Sequence, residues 1–143
     1  MAIQPILEGY RSLTPAMNLK GAAKAIEFFT RVFGAEVVDK FENQTGQLIH
    51  VDMKIADGHI MFAEAVRDPV QTLSAMIYVS DCDVVFARAL ENGATVKRPL
   101  ADQFYGDRSG TVADPFGNVW TIATHKEDVT KEEMDRRVAA MKR

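Results

Sequence analysis

The chain has 143 residues, of which 47% are hydrophobic and 26% charged, with a net charge of −3. That length and apolar content suit a globular protein able to bury a core, and most simply one domain, rather than a disordered chain. Acidic and basic residues are interspersed, unlike the basic footprint of a nucleic-acid binder, and the longest apolar runs are strand-sized, short of the roughly 20 residues a membrane helix needs.

Met1-Ala2-Ile3-Gln4-Pro5 carries neither the basic region nor the apolar run of a signal peptide. Residues 13–19 read as a short strand that tolerates Pro15 only at an edge or bulge. From Gly21 to Phe33, Ala22, Ala25, Ile26, Phe29, Val32 and Phe33 recur at helical spacing, and Gly34 is a stop. Three strands are expected over residues 37–41, 47–55 and 59–65, joined by Asn43-Gln44-Thr45-Gly46 and by Asp57-Gly58, a hairpin signal.

Residues 68–71 read as a linker, after which the order starts again. A strand from Leu73 leads to Asp81, which can cap a helix over residues 82–91, and Asn92-Gly93 end it. Strands follow near residues 95–98, 110–113 and 118–124, the last preceded by an Asp114-Pro115-Phe116-Gly117 turn. A tail helix over 129–142 has Thr130 and Glu133 as a capping box, the pairs Glu132/Arg136 and Glu133/Arg137, and a narrow apolar stripe of Met134, Val138 and Met141. It either docks on the domain or a second subunit, or frays. Cys82 is the single cysteine and cannot close an internal disulfide, which fits a reducing, cytoplasmic setting.

The chain thus reads as β-α-β-β-β twice, over residues 11–66 and 72–126. Two landmarks share one spacing: Gly34 and Gly93 are 59 residues apart, and so are Gly58 and Gly117. An internal repeat of one supersecondary unit follows.

Ala25-Ile26-Glu27-Phe28-Phe29, Val32-Phe33-Gly34-Ala35-Glu36, Ala101-Asp102-Gln103-Phe104-Tyr105-Gly106-Asp107-Arg108, Asp114-Pro115-Phe116-Gly117-Asn118-Val119-Trp120 and Ala123-Thr124-His125 resemble the vicinal oxygen chelate superfamily. That superfamily includes glyoxalase I, extradiol dioxygenases and the fosfomycin- and bleomycin-resistance proteins. The likeness is to its PhnB-like branch, sometimes labelled 3-demethylubiquinone methyltransferase-like. A methyltransferase reading finds no Gly-rich turn after a first strand to hold a nucleotide cofactor. The resemblance implies an α+β fold of two βαβββ modules whose paired sheets form a cup, and a homodimer.

It also implies where a divalent metal would be held, by His, Glu or Gln on the first and last strand of each module. Counting from the helices and glycines, those places fall near Thr14 and Ser74 and at Phe62 and Thr121. Hydroxyls are weak donors to such an ion and a phenyl ring is none. Glu64, on the same strand face as Phe62, could enter the site through a bulge. The expectation is therefore a protein without the usual metal and without another cofactor, binding a small-molecule ligand through Tyr105, Arg108, Thr121, Thr14, Ser74 and Phe62. The alternatives are a divalent-metal lyase, isomerase or dioxygenase rearranged around Glu64, or a metal-free acid–base enzyme using His50 or Glu64. A scaffold with a filled cup is a third class.

His50, Asp52 and Lys54 alternate with apolar residues, so this face meets solvent or lines a cavity. His59 and His125 are expected at the surface, and a cluster of His50, Glu64 and His125 follows no spacing rule. Asp107 is expected to pair with Arg108. Trp120 should be core, and Cys82 structural.

Overall fold

The computed structural model describes residues 2–141. Its elements run β1 (Ala16–Leu19), α1 (Ala22–Phe33), β2 (Glu36–Glu42), β3 (Leu48–Ile55), β4 (Gly58–Glu64), β5 (Ser74–Tyr78), α2 (Cys82–Glu91), β6 (Thr95–Asp102), β7 (Asp107–Ala113), β8 (Val119–His125) and α3 (Lys131–Ala140). The βαβββ order occurs twice, as the sequence suggests. Residue 142 of the expected tail helix lies outside the described residues. Each module makes one four-stranded sheet, β1-β4-β3-β2 and β5-β8-β7-β6, with the outer pair β1/β4 or β5/β8 parallel and the rest antiparallel. The chain divides into two compact units. One runs up to Leu73 and includes Phe116–Asn118, and the other holds Ser74–Pro115 and everything from Val119 on.

In the first unit the apolar face of α1 buries Ala25, Phe29 and Val32 against Val51, Met53, Ile60 and Phe62 of the sheet. Phe29 meets Phe62 edge-on with ring centroids 5.6 Å apart, a geometry that adds to simple burial. In the second unit α2 buries Val85, Phe86 and Ala89, and Val112, Trp120 and Ile122 are buried in the sheet. Each sheet therefore has a helix-covered face and a helix-free face.

The repeat needs correction by one residue. Ala22 and Cys82, the first residues of the two helices, are 60 apart. Glu64 holds the first backbone N–H of α1 and Thr124 that of α2, and these too are 60 apart. The spacing of 59 survives at the helix ends and at the middle strands. The difference lies in the last hairpin. Ala56 and Asp57 connect β3 to β4, whereas Asp114–Asn118 connect β7 to β8 with one residue more than a spacing of 59 allows. Gly58 and Gly117 therefore hold different places, the first in a strand and the second in a turn with φ 97°. A one-residue slip moves a side chain to the opposite sheet face. The mate of Thr121 is accordingly Met61, while Phe62 corresponds to buried Ile122.

The tail helix is tied by polar contacts rather than by its stripe. None of its residues is buried; Val138 and Met141 are exposed. Thr130 caps it by accepting from the Glu133 N–H, as the capping box predicts. Arg137 donates to Glu133, to Glu127 at 2.8 Å and to the Phe104 carbonyl at 2.9 Å, which fastens the helix to the β6–β7 turn. At that turn Gly106 has φ 104°, and its carbonyl accepts from the Lys126 and Glu127 N–H groups.

Gly110, in the middle of β7, lets α2 lie close. A Cβ there would stand 2.6 Å from the Phe86 ring and 3.0 Å from the Leu100 nitrogen. Gly110→Ala is expected to destabilise the fold by about 1–3 kcal/mol through overpacking, read as a lower midpoint in urea denaturation followed by circular dichroism.

Candidate functional site

The helix-free face of the first sheet carries Asp39 and Phe41 on β2, His50, Asp52 and Lys54 on β3, and Met61 and Ala63 on β4. The register sets Asp39 opposite Asp52, Phe41 opposite His50, and Asp52 opposite Met61. His50 is half-buried beside the Phe41 ring, with centroids 6.0 Å apart. Asp52 is only 3% exposed, so the alternating polar face of β3 does not face water there. Its Oδ1 is buried with no hydrogen-bond partner. Burial pushes its carboxyl above the usual range, and nearby His59 offsets part of that. His59 is half-buried under Tyr10, stacked at 4.0 Å, rather than simply at the surface.

The matching face of the second sheet closes on itself. Thr111 and Thr121, opposite each other in the register, have hydroxyls 3.0 Å apart, and Arg98 donates to Thr111 at 3.3 Å. Farther along, Tyr78 donates to Asp107 Oδ2 at 2.7 Å, and His125 Nδ1 meets Asp107 Oδ1 at 2.7 Å. His125 Nε2 in turn meets Asp128 at 2.7 Å. Asp107 thus pairs with Tyr78 and His125 and not, as expected, with Arg108. It is buried with both oxygens bonded, which offsets the desolvation of its charge. The hydrogen bond to Asp107, and then that to Asp128, raises the His125 imidazole above its ordinary range. Tyr78 is raised as well, chiefly because its hydroxyl donates to Asp107.

Several expected ligand contacts are occupied within the fold. Arg108 lies on the helix-covered side and binds Asp83 at 2.8 Å and Asp102 at 3.4 Å. Glu64 accepts from the Gly21 and Ala22 N–H groups at 3.1 and 2.8 Å, so its carboxylate caps a helix whose own N-cap, Gly21, has no side chain to offer. Phe62 packs in the core. Tyr105 is half-buried in the β6–β7 turn against Phe104. Thr14 is half-buried two residues before β1, and Ser74 is exposed as the first residue of β5. Trp120 is core and donates to buried Asp114 at 3.0 Å. Cys82 is buried with its sulfur 3.4 Å from the Arg108 carbonyl.

The residues do not fit the superfamily's divalent metal. The four corrected places hold Thr14, Met61, Ser74 and Thr121, and among the described residues no group of three or more His, Cys, Asp or Glu side chains could hold an ion. The cluster of His50, Glu64 and His125 is therefore not formed, and Glu64 is committed to α1.

Each module does form a cavity, at the same place in both. One, of about 310 Å³, is lined by Asn18, Asn43, Ile49, Ala63, Glu64, Val66, Arg67 and Asp68. The other, of about 380 Å³, is lined by Asp102, Gln103, Gly106, Asp107, Lys126 and Glu127. Both lie between the turn joining the second and third strands of the module and the segment that leaves its last strand. The arrangement defines a tandem βαβββ protein of the glyoxalase fold.

A family model for the Glyoxalase/Bleomycin resistance protein/Dioxygenase superfamily matches residues 14–122, and the chain belongs to that superfamily. An uncharacterised protein of Mycobacterium bovis is 33% identical over 135 residues, covering 86% of this chain and 89% of its own. Among solved structures, a putative 3-demethylubiquinone-9 3-methyltransferase, PhnB protein, from Bacillus cereus aligns with a TM-score of 0.67 at 19% identity, over 80% of this chain and 99% of that one. TnmS3, an antibiotic-binding protein from Streptomyces sp. CB03234, aligns with a TM-score of 0.63 at 19% identity, over 88% and 99%. No helix among the described residues is long and apolar enough to cross a membrane.

Removing the Glu64 carboxylate leaves two α1 N–H groups without their acceptor. Glu64→Ala is expected to cost about 1–2 kcal/mol of unfolding free energy, with Glu64→Gln recovering part of it, both read from chemical denaturation. For His125 the folded-state pKa is raised, so its stabilising contribution is complete below its unfolded value of about 6.5 and disappears as pH rises through the folded value. Stability of the wild-type protein should therefore fall across that window relative to His125→Gln, which has no such titration, measured by urea denaturation at a series of pH values.

Proposed function

We propose that this chain binds a small organic molecule on the helix-free side of its modules without the divalent metal used by other members of its superfamily. One observation carries the reading: the four places where the superfamily's ligands would stand hold two hydroxyls of threonine, one of serine and a thioether. A thioether is a soft donor and a neutral hydroxyl a weak one, so together they are a poor match for Fe, Mn, Ni or Zn. Each module also has a half-open depression at one end of its sheet, of about 310 and 380 Å³, and TnmS3, a protein of the same fold, is an antibiotic-binding protein. Tyr105 and Thr121 remain among the residues proposed to meet the ligand, with Ser74 at the start of β5 and Thr14 two residues before β1. A homodimer belongs to the same reading, supported by an edge strand β2 exposed along its whole length, Val37, Val38 and Phe41 included.

The test is elemental analysis of protein purified without chelators or metal-affinity resin. Substoichiometric Fe, Mn, Ni and Zn is the expected result. Near-stoichiometric content of one of these metals, reduced in Glu64→Ala, would overturn the metal-free reading in favour of a rearranged metal site.

A further inference from the structure

The internal repeat supplies its own control for Asp52. At the corresponding place in the second module stands Thr111, whose hydroxyl is satisfied by Thr121 across the strands. In the first module the residue opposite Asp52 is Met61, which has no hydrogen to give. A carboxyl has replaced a hydroxyl and a thioether has replaced its partner, and the result is a buried oxygen with no bond. Leaving such a group unpaired costs on the order of 1–3 kcal/mol, and more when it is charged. On the other side, the register brings Asp39 opposite Asp52 on the same face. Directly opposed like charges destabilise a sheet, and among the described residues no lysine or arginine pairs with either carboxyl; the nearby basic group, His59, offsets only part of the burial of Asp52.

We propose that Asp52, with Asp39 beside it, is the anchor for a basic nitrogen on an otherwise apolar ligand, seated on the helix-free face of the first sheet. The inference rests on the small-molecule reading above and adds the residue and the class of ligand. A protonated amine supplies a donor for the unpaired Oδ1, which His59 does not bond, and a full positive charge between two carboxylates. The surroundings suit the rest of such a molecule. Met61 is a flexible and polarizable side chain that can shift to admit a ligand, and Phe41 stands across from His50 on the same face. Ala63, two residues beyond Met61 on β4, adds a small apolar side chain on the same side. An organic cation fits better than a metal ion, since two carboxylates with a thioether and a phenyl ring give too few hard donors.

The experiment uses three matched probes, benzylammonium, benzyl alcohol and benzoate, titrated into the 143-residue chain labelled with ¹⁵N. Benzylammonium is expected to shift the amide signals of Asp52, Met61 and Phe41 saturably, while the neutral and anionic probes leave them in place. Asp52→Asn should weaken that binding about tenfold or more, the effect of losing one charge-assisted hydrogen bond. Asp39→Asn, on the exposed member of the pair, should weaken it less and tests the site in a variant with an undisturbed interior. Equal shifts from benzyl alcohol, or unchanged benzylammonium affinity in Asp52→Asn that retains the wild-type spectrum, would overturn the proposal. So would the absence of any shift on this face. Probe binding elsewhere that is indifferent to both substitutions would sink the role of Asp52 while leaving a metal-free small-molecule protein intact. Stoichiometric metal in the purified protein would do the reverse.

Discussion

The constraint on which the rest depends is the bond from the last strand of each module back to the first turn of its helix. A helix begins with N–H groups that have no partner inside it. Here Glu64 at the end of β4 meets those of α1, and Thr124 near the end of β8 meets that of α2. Thr124 also donates to the Val79 carbonyl, so one hydroxyl joins β8, α2 and the residue that follows β5. These bonds set the spacing of 60 between modules at the first strand, the helix start and the last strand. Through that spacing they decide which side chains face the helix and which face away.

Once the faces are assigned, the two modules differ in how they treat polarity on the helix-free side. The second sheet satisfies it internally, through Thr111 with Thr121 and through the run from Tyr78 to Asp107 to His125 to Asp128. The first leaves Oδ1 of Asp52 unsatisfied. A fold selected for stability alone would have no reason to keep a buried carboxyl with one oxygen unpaired, because an apolar residue of similar size avoids the desolvation cost. An incomplete polar group on one copy of a duplicated unit is therefore more informative than a complete one on the other.

Arg108, expected from the sequence to meet a ligand, is engaged in ion pairs within the fold, as is Arg137 of the tail helix. Arg108 spans Asp83 and Asp102, and Arg137 binds Glu127, Glu133 and the Phe104 carbonyl. Such pairs at the surface contribute little free energy each, but they fix the β6–β7 turn and the tail helix in place beside the second cavity.

Element order, the duplication, both helices with their stops, the capping box of α3 and the core role of Trp120 were all legible in the sequence, because periodicity and capping chemistry act over a few residues. The superfamily was legible too, through its Asp-Pro-Phe-Gly turn. What could not be read was the extra residue in the last hairpin. Two glycines at matching spacing looked equivalent, although one opens a strand and the other bends a turn, so Phe62 was placed where Met61 stands. Nor could the sequence show that Asp52, one of three alternating polar residues, is the buried one, or that Glu64 is spent on a helix forty residues earlier. The sequence by itself determined which elements form and what chemistry is scarce among them. Only the tertiary structure decided which polar groups find partners, because a hydrogen bond needs two groups within about 3 Å, and strand register, not local composition, brings distant groups that close.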